Sequence, residues 1–361
     1  MSSSTNPPPT PRIAIACQGG GSHTAFTAGV LKTLLRGEAG GGYRIVAFSG
    51  TSGGAICAAL AWCGLVAKKR RAEGRLCAVQ MLDAFWHDNS ALLPWERLWN
   101  DCIVSTVELQ DRGLLPALSA SPYLPQVDAS AKVLKLLAPR REFVDLRQLL
   151  DKHLNLAEVR QPVAEPRLLV GAVGVLSGVF KAFDSMAAEI STDSILASAT
   201  LPSAAKAIRI GSEVYWDGLF SQNPPVSQFI EGLEVGDKPD EIWIVRINPQ
   251  SGAEEPTHIE TIQDRRNELA GNLSLNQEIG FITKVNQWLA EGKLSSSSKK
   301  PIQLEQITMS AGLSGALDYA SKLNRDAKFI ARLMADGERR AGEFLSLRGA
   351  RVEELPASGR A

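Results

Sequence analysis

The chain has 361 residues, which is enough for one large α/β domain or for two domains of ordinary size. Its 39 Lys and Arg residues balance its 39 Asp and Glu residues, and this formal net charge of zero argues against a nucleic-acid-binding protein. Hydrophobic residues make up 44% of the chain, which excludes disorder for its bulk, and its five cysteines show no paired C-x-x-C spacing, which disfavours a disulfide framework or a zinc site.

The composition of the first residues is not typical of a targeting signal. Residues 1–11 have neither a charged start nor an apolar run, so we expect a flexible tail and no signal peptide. The longest near-continuous apolar stretch, residues 55–67, is shorter than the roughly 20 residues that span a bilayer. We therefore expect a cytoplasmic protein without a transmembrane helix, and peripheral contact with a membrane surface stays compatible with the sequence.

Strands and helices alternate in the next part of the chain. Residues 12–17 form a short apolar run typical of a buried strand, and apolar residues recur at helical spacing over 22–36. A second buried strand is predicted at 44–49, and a helix begins at Gly53. This β-α-β-α order predicts a parallel sheet with right-handed crossovers, in which ligands bind at the carboxyl ends of the strands.

The remaining chain is mostly helical, with strands in its middle. Residues 68–161 show Leu-rich helical patterns, so we expect a helical insertion or cap there. Further strands are predicted at 167–175, 179–183, 207–210, 214–216 and 241–247, long helices at 257–294 and 319–347, and an exposed loop at 295–300. We expect one α/β domain over 12–347, with a mainly parallel central sheet flanked by helices and a helical C-terminal region, followed by a tail at 348–361.

A G-x-S-x-G motif lies between the second strand and the helix that follows it. It reads Gly50-Thr51-Ser52-Gly53-Gly54, and this strand-turn-helix context is the one that makes such a motif a nucleophile elbow. Gly50 and Gly54 would permit the tight turn, while the N–H groups of the helix that starts at Gly53 would face developing negative charge. A glycine-rich turn of purely structural or phosphate-binding role is the alternative. The motif predicts Ser52 as a nucleophile.

Three consecutive glycines follow the first strand directly. Gly19, Gly20 and Gly21 stand at the start of the first helix, where backbone N–H groups can donate to an oxyanion. If the first two strands are neighbours, this loop meets the Ser52 turn. A dinucleotide fingerprint would also place glycines here, but G-x-G-x-x-G fails because Thr24 stands where the third glycine belongs.

A serine nucleophile needs a base, and the sequence offers two candidates. Ser52, an aspartate and His258 would follow the chain order of an α/β-hydrolase triad, but only one β-α unit precedes Ser52, and His258 lies on a polar stretch typical of a solvated helix start. The other candidate is Asp217, at the end of a short strand. Because Asp217-Gly218 is also a common turn signal, the residues alone leave both candidates open.

Three motifs in one order resemble the patatin-like phospholipase family. The resemblance rests on the glycine-rich loop at 19–23, the G-x-S-x-G at 50–54 and Asp217-Gly218, with similar flanking segments at 197–202 and 223–224. It covers roughly residues 12–230 and leaves the 68–161 insertion and the region after 247 without a counterpart. It implies a patatin-like α/β fold and a Ser52-Asp217 dyad without a catalytic histidine.

The resemblance also implies a site composition and an activity. Gly19, Gly20, Gly21 and Gly53 would form the oxyanion hole, and the substrates would be fatty-acyl esters of phospholipids, lysophospholipids or neutral lipids. No cofactor and no metal is expected. The alternatives are a non-catalytic lipid- or nucleotide-binding protein on the same scaffold and an esterase with a Ser52-Asp-His258 triad.

Three positions depart from the family pattern. The family usually has Arg or Lys where this chain has His23, Gly where it has Thr24, and a second Gly where Leu219 follows Asp217-Gly218. None of them replaces Ser52 or Asp217. Since Thr adopts fewer backbone conformations than Gly, they put the geometry of the oxyanion loop in question.

Two surface features of the insertion allow two interpretations each. The aromatic cluster of Trp86, Trp95 and Trp99, with neighbouring leucines, is typical of a core and would alternatively line an acyl-chain cleft. The basic run at 68–71 is typical of a solvated helix end and would alternatively contact anionic lipid headgroups.

Overall fold

A mixed sheet flanked by helices forms the centre of the structure. The computed structural model describes residues 10–116, 121–202, 204–252, 254–295, 297 and 299–354. Among these residues, eight strands pair into the sheet: β1 (Arg12–Cys17), β2 (Arg44–Thr51), β3 (Arg167–Gly174), β4 (Phe180–Asp184), β5 (Ile208–Ile210), β6 (Glu213–Asp217), β7 (Glu241–Arg246) and β8 (Gln303–Thr308).

Helices cover both faces of this sheet and make up the insertion. The described helices are α1 (Ala25–Gly37), α2 (Gly53–Val66), α3 (Arg71–Asn89), α4 (Pro94–Asp111), α5 (Pro125–Leu137), α6 (Arg141–Val144), α7 (Leu146–His153), α8 (Thr192–Ser198), α9 (Ile259–Ala290), α10 (Ala311–Ser314) and α11 (Ala327–Glu354). In the part of the chain that is described, no helix combines the length and the apolar character needed to cross a bilayer.

The strand order is β5-β6-β3-β2-β1-β7-β8, and β4 pairs with β3 outside this path. From β3 to β8 all neighbours are parallel, while β4, β5 and β6 pair antiparallel. The mainly parallel sheet is thereby confirmed. Because β1 and β2 are neighbours, with Cys17 in register with Gly50, the loops that follow them lie side by side.

The central parallel strands β1, β2, β3 and β7 are buried on both faces, as their continuous apolar sequences predict. In β1, the side chains of Ile13, Ile15 and Cys17 belong to one hydrophobic cluster, and those of Ala14 and Ala16 to the cluster on the other face. Helices α1, α2, α3 and α11 contribute to the first cluster, and α9 contributes to the second. The centre of the sheet, with β1 and β2, is therefore enclosed between helices on both faces.

Several predicted elements differ from the structure. The helical character of the insertion is confirmed by α3 to α7, but the region after β7 contains an unpredicted strand, β8, which lies at the sheet edge and pairs with β7. The short helix α8 was also not predicted. The last helix begins at Ala327, not at 319, and continues past the boundary expected at 347 to Glu354. The tails at 1–9 and 355–361 lie outside the described residues, and the one-domain organisation stays a prediction.

Candidate active site

Ser52 occupies the turn between β2 and α2 in a strained conformation. Its φ of 57° and ψ of −133° lie in a region that residues with a side chain rarely adopt, and such strain is typical of functional turns. The Ser52 N–H donates to the backbone oxygen of Ser198 at 3.1 Å and to its Oγ at 3.0 Å. The C-terminal end of α8 therefore holds the turn, and the N-terminus of α2 lies directly behind the serine.

The glycines around Ser52 are required by close backbone contacts. A Cβ on Gly50 would lie 2.5 Å from the Gly54 oxygen, and a Cβ on Gly54 would lie 2.3 Å from the Cys17 oxygen. A Cβ on Gly53 would lie 2.2 Å from Thr24 Oγ1. The β1 and β2 loops therefore meet without room for a side chain, as predicted from adjacent strands.

The glycine loop after β1 packs against Ser52 itself. A Cβ on Gly19 would lie 2.8 Å from Ser52 Cβ, and the Gly19 N–H donates to Asn223 Oδ1 at 2.6 Å. This N–H already has an acceptor, so the predicted role of Gly19 as an oxyanion donor is not supported. Hydrogen bonds among the described residues leave the N–H groups of Gly20 and Gly21 without an acceptor. Position 21 favours glycine, since its φ of +56° is one that residues with a side chain rarely adopt.

Asp217 ends β6 and is completely buried. Its N–H donates to the Thr200 oxygen at 2.9 Å, and its Oδ1 accepts the N–H of Leu219 at 2.9 Å. Its Oδ2 has no hydrogen-bond partner within the described residues. Burial raises the pKa of Asp217 to about 7, and the Leu219 N–H and the Ser52 hydroxyl oppose this rise. The carboxyl is thus close to Ser52 and has one oxygen available.

Gly218 and the loop after it fix the position of Asp217. A Cβ on Gly218 would lie 2.6 Å from the Gly171 oxygen of β3, which explains the glycine at this turn. Further along, Glu278 of α9 accepts the N–H groups of Val226 and Ser227 at 2.6 and 2.8 Å through one carboxylate oxygen. Burial raises the Glu278 pKa to about 7. The loop is therefore anchored at both ends.

Ser52, Asp217 and the glycine loop open into one cleft of about 800 Å³. Its walls are largely apolar, and its described lining is formed by residues 19–21, Ser52, Ser121, Pro122, Tyr123, Leu201, Pro202, Trp216, Asp217, Leu219, Phe220, Asn248, Asn267, Ala270, Gly271, Tyr319, Lys322 and Leu323. None of these residues is a histidine. A cleft of this size and composition fits an acyl chain.

The four histidines lie outside this described lining. His258 is exposed at the start of α9 and lines a different cleft. His87 and His153 both contact Asp88 in the insertion. His23 is buried, and its Nε2 lies 2.9 Å from Ser321 Oγ. Burial, with the nearby charge of Lys322, lowers the His23 pKa to about 3, so its ring is neutral at pH 7.

The two other departures from the family pattern have visible positions. Thr24 Oγ1 donates to the Gly21 oxygen at 2.7 Å and so braces the glycine loop from within. Leu219 lines the cleft beside Asp217. These contacts show that the loop accommodates the substituted residues.

The insertion's surface features are separated from the cleft lining. Trp86 is buried in the core, whereas Trp99 is 44% exposed, and neither lines the Ser52 cleft as described. Of the basic run, residues 68–70 are exposed and Arg71 is paired with Glu38 at 2.7 Å. The described residues contain no group of three or more His, Cys, Asp or Glu placed to hold a metal ion, and all five cysteines are free.

Comparisons with known proteins agree with the arrangement of these motifs. The model of the family described as patatin-like phospholipase matches residues 15–230, more than half of the chain. The chain therefore belongs to the patatin-like phospholipase family, and this membership implies lipid acyl hydrolase activity. A search of curated proteins finds no match for this chain.

Two solved structures are similar in outline. VipD from Legionella pneumophila shares 14% identity, with a TM-score of 0.41, over 94% of this chain and 67% of VipD. The type III effector ExoU shares 15% identity, with a TM-score of 0.36, over 95% of this chain and 54% of ExoU. This chain thus spans about two thirds of VipD and about half of ExoU, and at these scores neither structure bears on its substrate.

Proposed function

We propose that this protein hydrolyses fatty-acyl esters of lipids, with Ser52 as the nucleophile and Asp217 as the general base. The observation that carries the proposal is the combination of a serine at positive φ with a buried carboxyl that has an unpartnered oxygen, in one apolar cleft. Family membership supports the reaction class. The absence of a histidine from the described lining favours a dyad over the Ser52-Asp-His258 alternative.

The first chemical step is acylation of Ser52. Asp217 Oδ2 accepts the proton of the Ser52 hydroxyl while Oγ attacks the ester carbonyl, and the Leu219 N–H keeps Oδ1 in place. A carboxyl with a pKa of about 7 is ionised in a substantial fraction of molecules at neutral pH and is a far stronger base than an ordinary aspartate. The proton then passes from Asp217 to the leaving alcohol.

The tetrahedral intermediate carries a negative oxygen that needs donors. The N–H groups of Gly20 and Gly21 and the first N–H of α2, at Gly53, are the candidates, because Gly19 is engaged by Asn223. Asn223 would act on the reaction by positioning this loop. Deacylation follows the same chemical steps with water as the nucleophile. Asp217 deprotonates the water, which attacks the acyl-enzyme and releases the fatty acid.

The proposal is tested by labelling and turnover. The purified protein should react with a fluorophosphonate at Ser52 and release p-nitrophenol from p-nitrophenyl butyrate. Ser52→Ala should abolish both signals, whereas Ser130→Ala, at an exposed serine on α5, should leave both at the wild-type level. Labelling that survives Ser52→Ala refutes the assignment of the nucleophile. A folded wild-type protein without labelling and without turnover supports the non-catalytic alternative.

A further inference from the structure

Lys322 lines the cleft that contains Ser52, and it also lines a smaller neighbouring cavity together with Asp264 and Glu268. Its Nζ donates to Asn248 Oδ1 at 3.1 Å and lies 5.9 Å from the centre of the Tyr319 ring. Burial lowers the pKa of Lys322, and the negative charges of Glu268 and Asp264 oppose this effect from beyond ion-pair distance. No carboxylate lies within ion-pair distance of its Nζ among the described residues. By contrast, the buried Lys32 is held by two carboxylates, Asp83 and Glu338, at 2.5 Å each. The charge of Lys322 is therefore without a direct counter-ion.

The position of Lys322 is fixed beside the glycine loop. Its backbone oxygen lies 2.4 Å from the place that a Cβ on Gly21 would occupy, so the two segments are in direct contact. Its partner Asn248 is held in turn, because the Asn248 N–H donates to Gln18 Oε1 at 2.9 Å. The backbone of Lys322 thus packs against the glycine loop, and its ammonium group is held by Asn248, which is itself bonded to the residue before that loop.

Other charges in the cleft do not duplicate or cancel that of Lys322. Lys322 is the one basic side chain in the described lining, and Asp217 is the one acidic side chain. His23 stands where the family usually has Arg or Lys, but it is neutral at pH 7 and faces Ser321. Lys322, which is distant in the sequence from the other site residues, is therefore the only positively charged side chain in the described lining of this cleft.

We propose that Lys322 binds the phosphate of the substrate, so that this enzyme selects acyl esters that carry a phosphate near the scissile bond over neutral esters. This inference rests on the proposed function. An ammonium group is a point-charge binder of phosphate, and in a partly enclosed cleft a charge-assisted hydrogen bond is stronger than on an open surface. In acyl lipids, the anionic group close to the ester is the phosphate of the headgroup. The apolar walls of the cleft alone would not distinguish an ester with this phosphate from a neutral ester.

The test uses two substrates that differ only in the phosphate. Oleoyl lysophosphatidate and monooleoylglycerol share the acyl ester, and both are presented in micelles of a neutral detergent. For the wild-type protein and for Lys322→Met, kcat/KM is measured on each. The ratio of the lysophosphatidate value to the monooleoylglycerol value should fall about 10- to 100-fold in Lys322→Met, the range of one charged hydrogen bond. Lys322→Arg should keep most of the ratio.

Lys328→Met is the matched control, because it removes one charge from an exposed position on α11. It should leave both rates and their ratio unchanged. If Lys322→Met lowers kcat/KM equally on both substrates, the lysine supports the site in general and the inference is overturned. The inference is also overturned if Lys322→Met changes kcat/KM on neither substrate. Inhibition of monooleoylglycerol hydrolysis by inorganic phosphate that Lys322→Met abolishes, with the ratio unchanged, would mean free phosphate binding and would also overturn it. Failure of the wild-type protein on both substrates overturns the proposed function first.

Discussion

Asp217→Asn should abolish turnover and at the same time stabilise the fold at alkaline pH. The carboxyl is buried without a charged partner, and its pKa of about 7 in the folded protein compares with an ordinary value of 3.8. Each pKa unit corresponds to about 1.4 kcal/mol, so ionised Asp217 costs the folded state about 4 kcal/mol. Asparagine keeps the acceptor for the Leu219 N–H and carries no charge, and therefore avoids this cost.

The pH dependence gives the sign of the effect. Below about pH 4 the carboxyl is protonated in both the folded and the unfolded protein, and Asp217 contributes no penalty. Between about pH 4 and pH 7 the unfolded chain loses this proton while the folded protein keeps it, so stability falls as the pH rises. Above about pH 7 the penalty is complete. The stabilisation by Asp217→Asn should therefore be absent near pH 4 and largest at pH 8.

Equilibrium unfolding in denaturant at pH 4 and at pH 8 measures this difference. Asp240→Asn is the control with the opposite sign. Burial raises the Asp240 pKa, but hydrogen bonds from Lys300 and the Arg12 N–H outweigh it and hold the pKa below its usual value. Asp240→Asn should therefore lose stability at pH 8. If Asp217→Asn proves less stable than the wild type at pH 8, or equally stabilised at both pH values, the assignment of a buried, unpaired carboxylate is refuted.

Three further variants test the site around the dyad. Asn223→Leu removes the acceptor of the Gly19 N–H and should lower kcat at least 10-fold with little change in KM, since a displaced loop loses an oxyanion donor. Gly54→Ala forces a Cβ to 2.3 Å from the Cys17 oxygen and should cost about 1–3 kcal/mol or more in unfolding free energy, whereas Gly280→Ala, with open space on α9, should not destabilise. His258→Ala should retain most of kcat, and a loss on the order of 10³-fold would restore the triad.

The central part of the fold was predictable because its signals are local. The strands β1, β2 and β7 are continuous apolar runs, and only an enclosed sheet can bury such strands on both faces. Strand β8 was not predictable in this way. Its sequence QLEQIT mixes polar and apolar residues because it lies at the sheet edge, and its pairing with β7 bridges a long helix. An edge strand of this kind forms because it pairs with a strand that is distant in the sequence, so its own residues do not predict it.

The same distinction holds for the site. Ser52 was predictable because strand, turn and helix are consecutive in the sequence. Asp217 followed only from the family resemblance, since Asp-Gly alone predicts a turn. Asn223 lies 204 residues from the glycine whose N–H it accepts, and Ser198 lies 146 residues from Ser52. Nothing in the local sequence around Lys322 indicates that it reaches the cleft.

Burial of Asp217 explains how a carboxylate can replace a histidine as the base. An acidic limb in the pH profile of kcat/KM near pH 7 would ordinarily be assigned to an imidazole, but Asp217 titrates in the same range because its surroundings raise its pKa. The pH of this limb therefore reports the pKa that the surroundings give to the base, and it does not identify the residue type of the base. Removing the charge at Asp217 acts on stability and turnover in opposite directions, which removing an exposed histidine cannot do. The buried carboxylate that lowers the stability of the fold is the same group that we propose as the base.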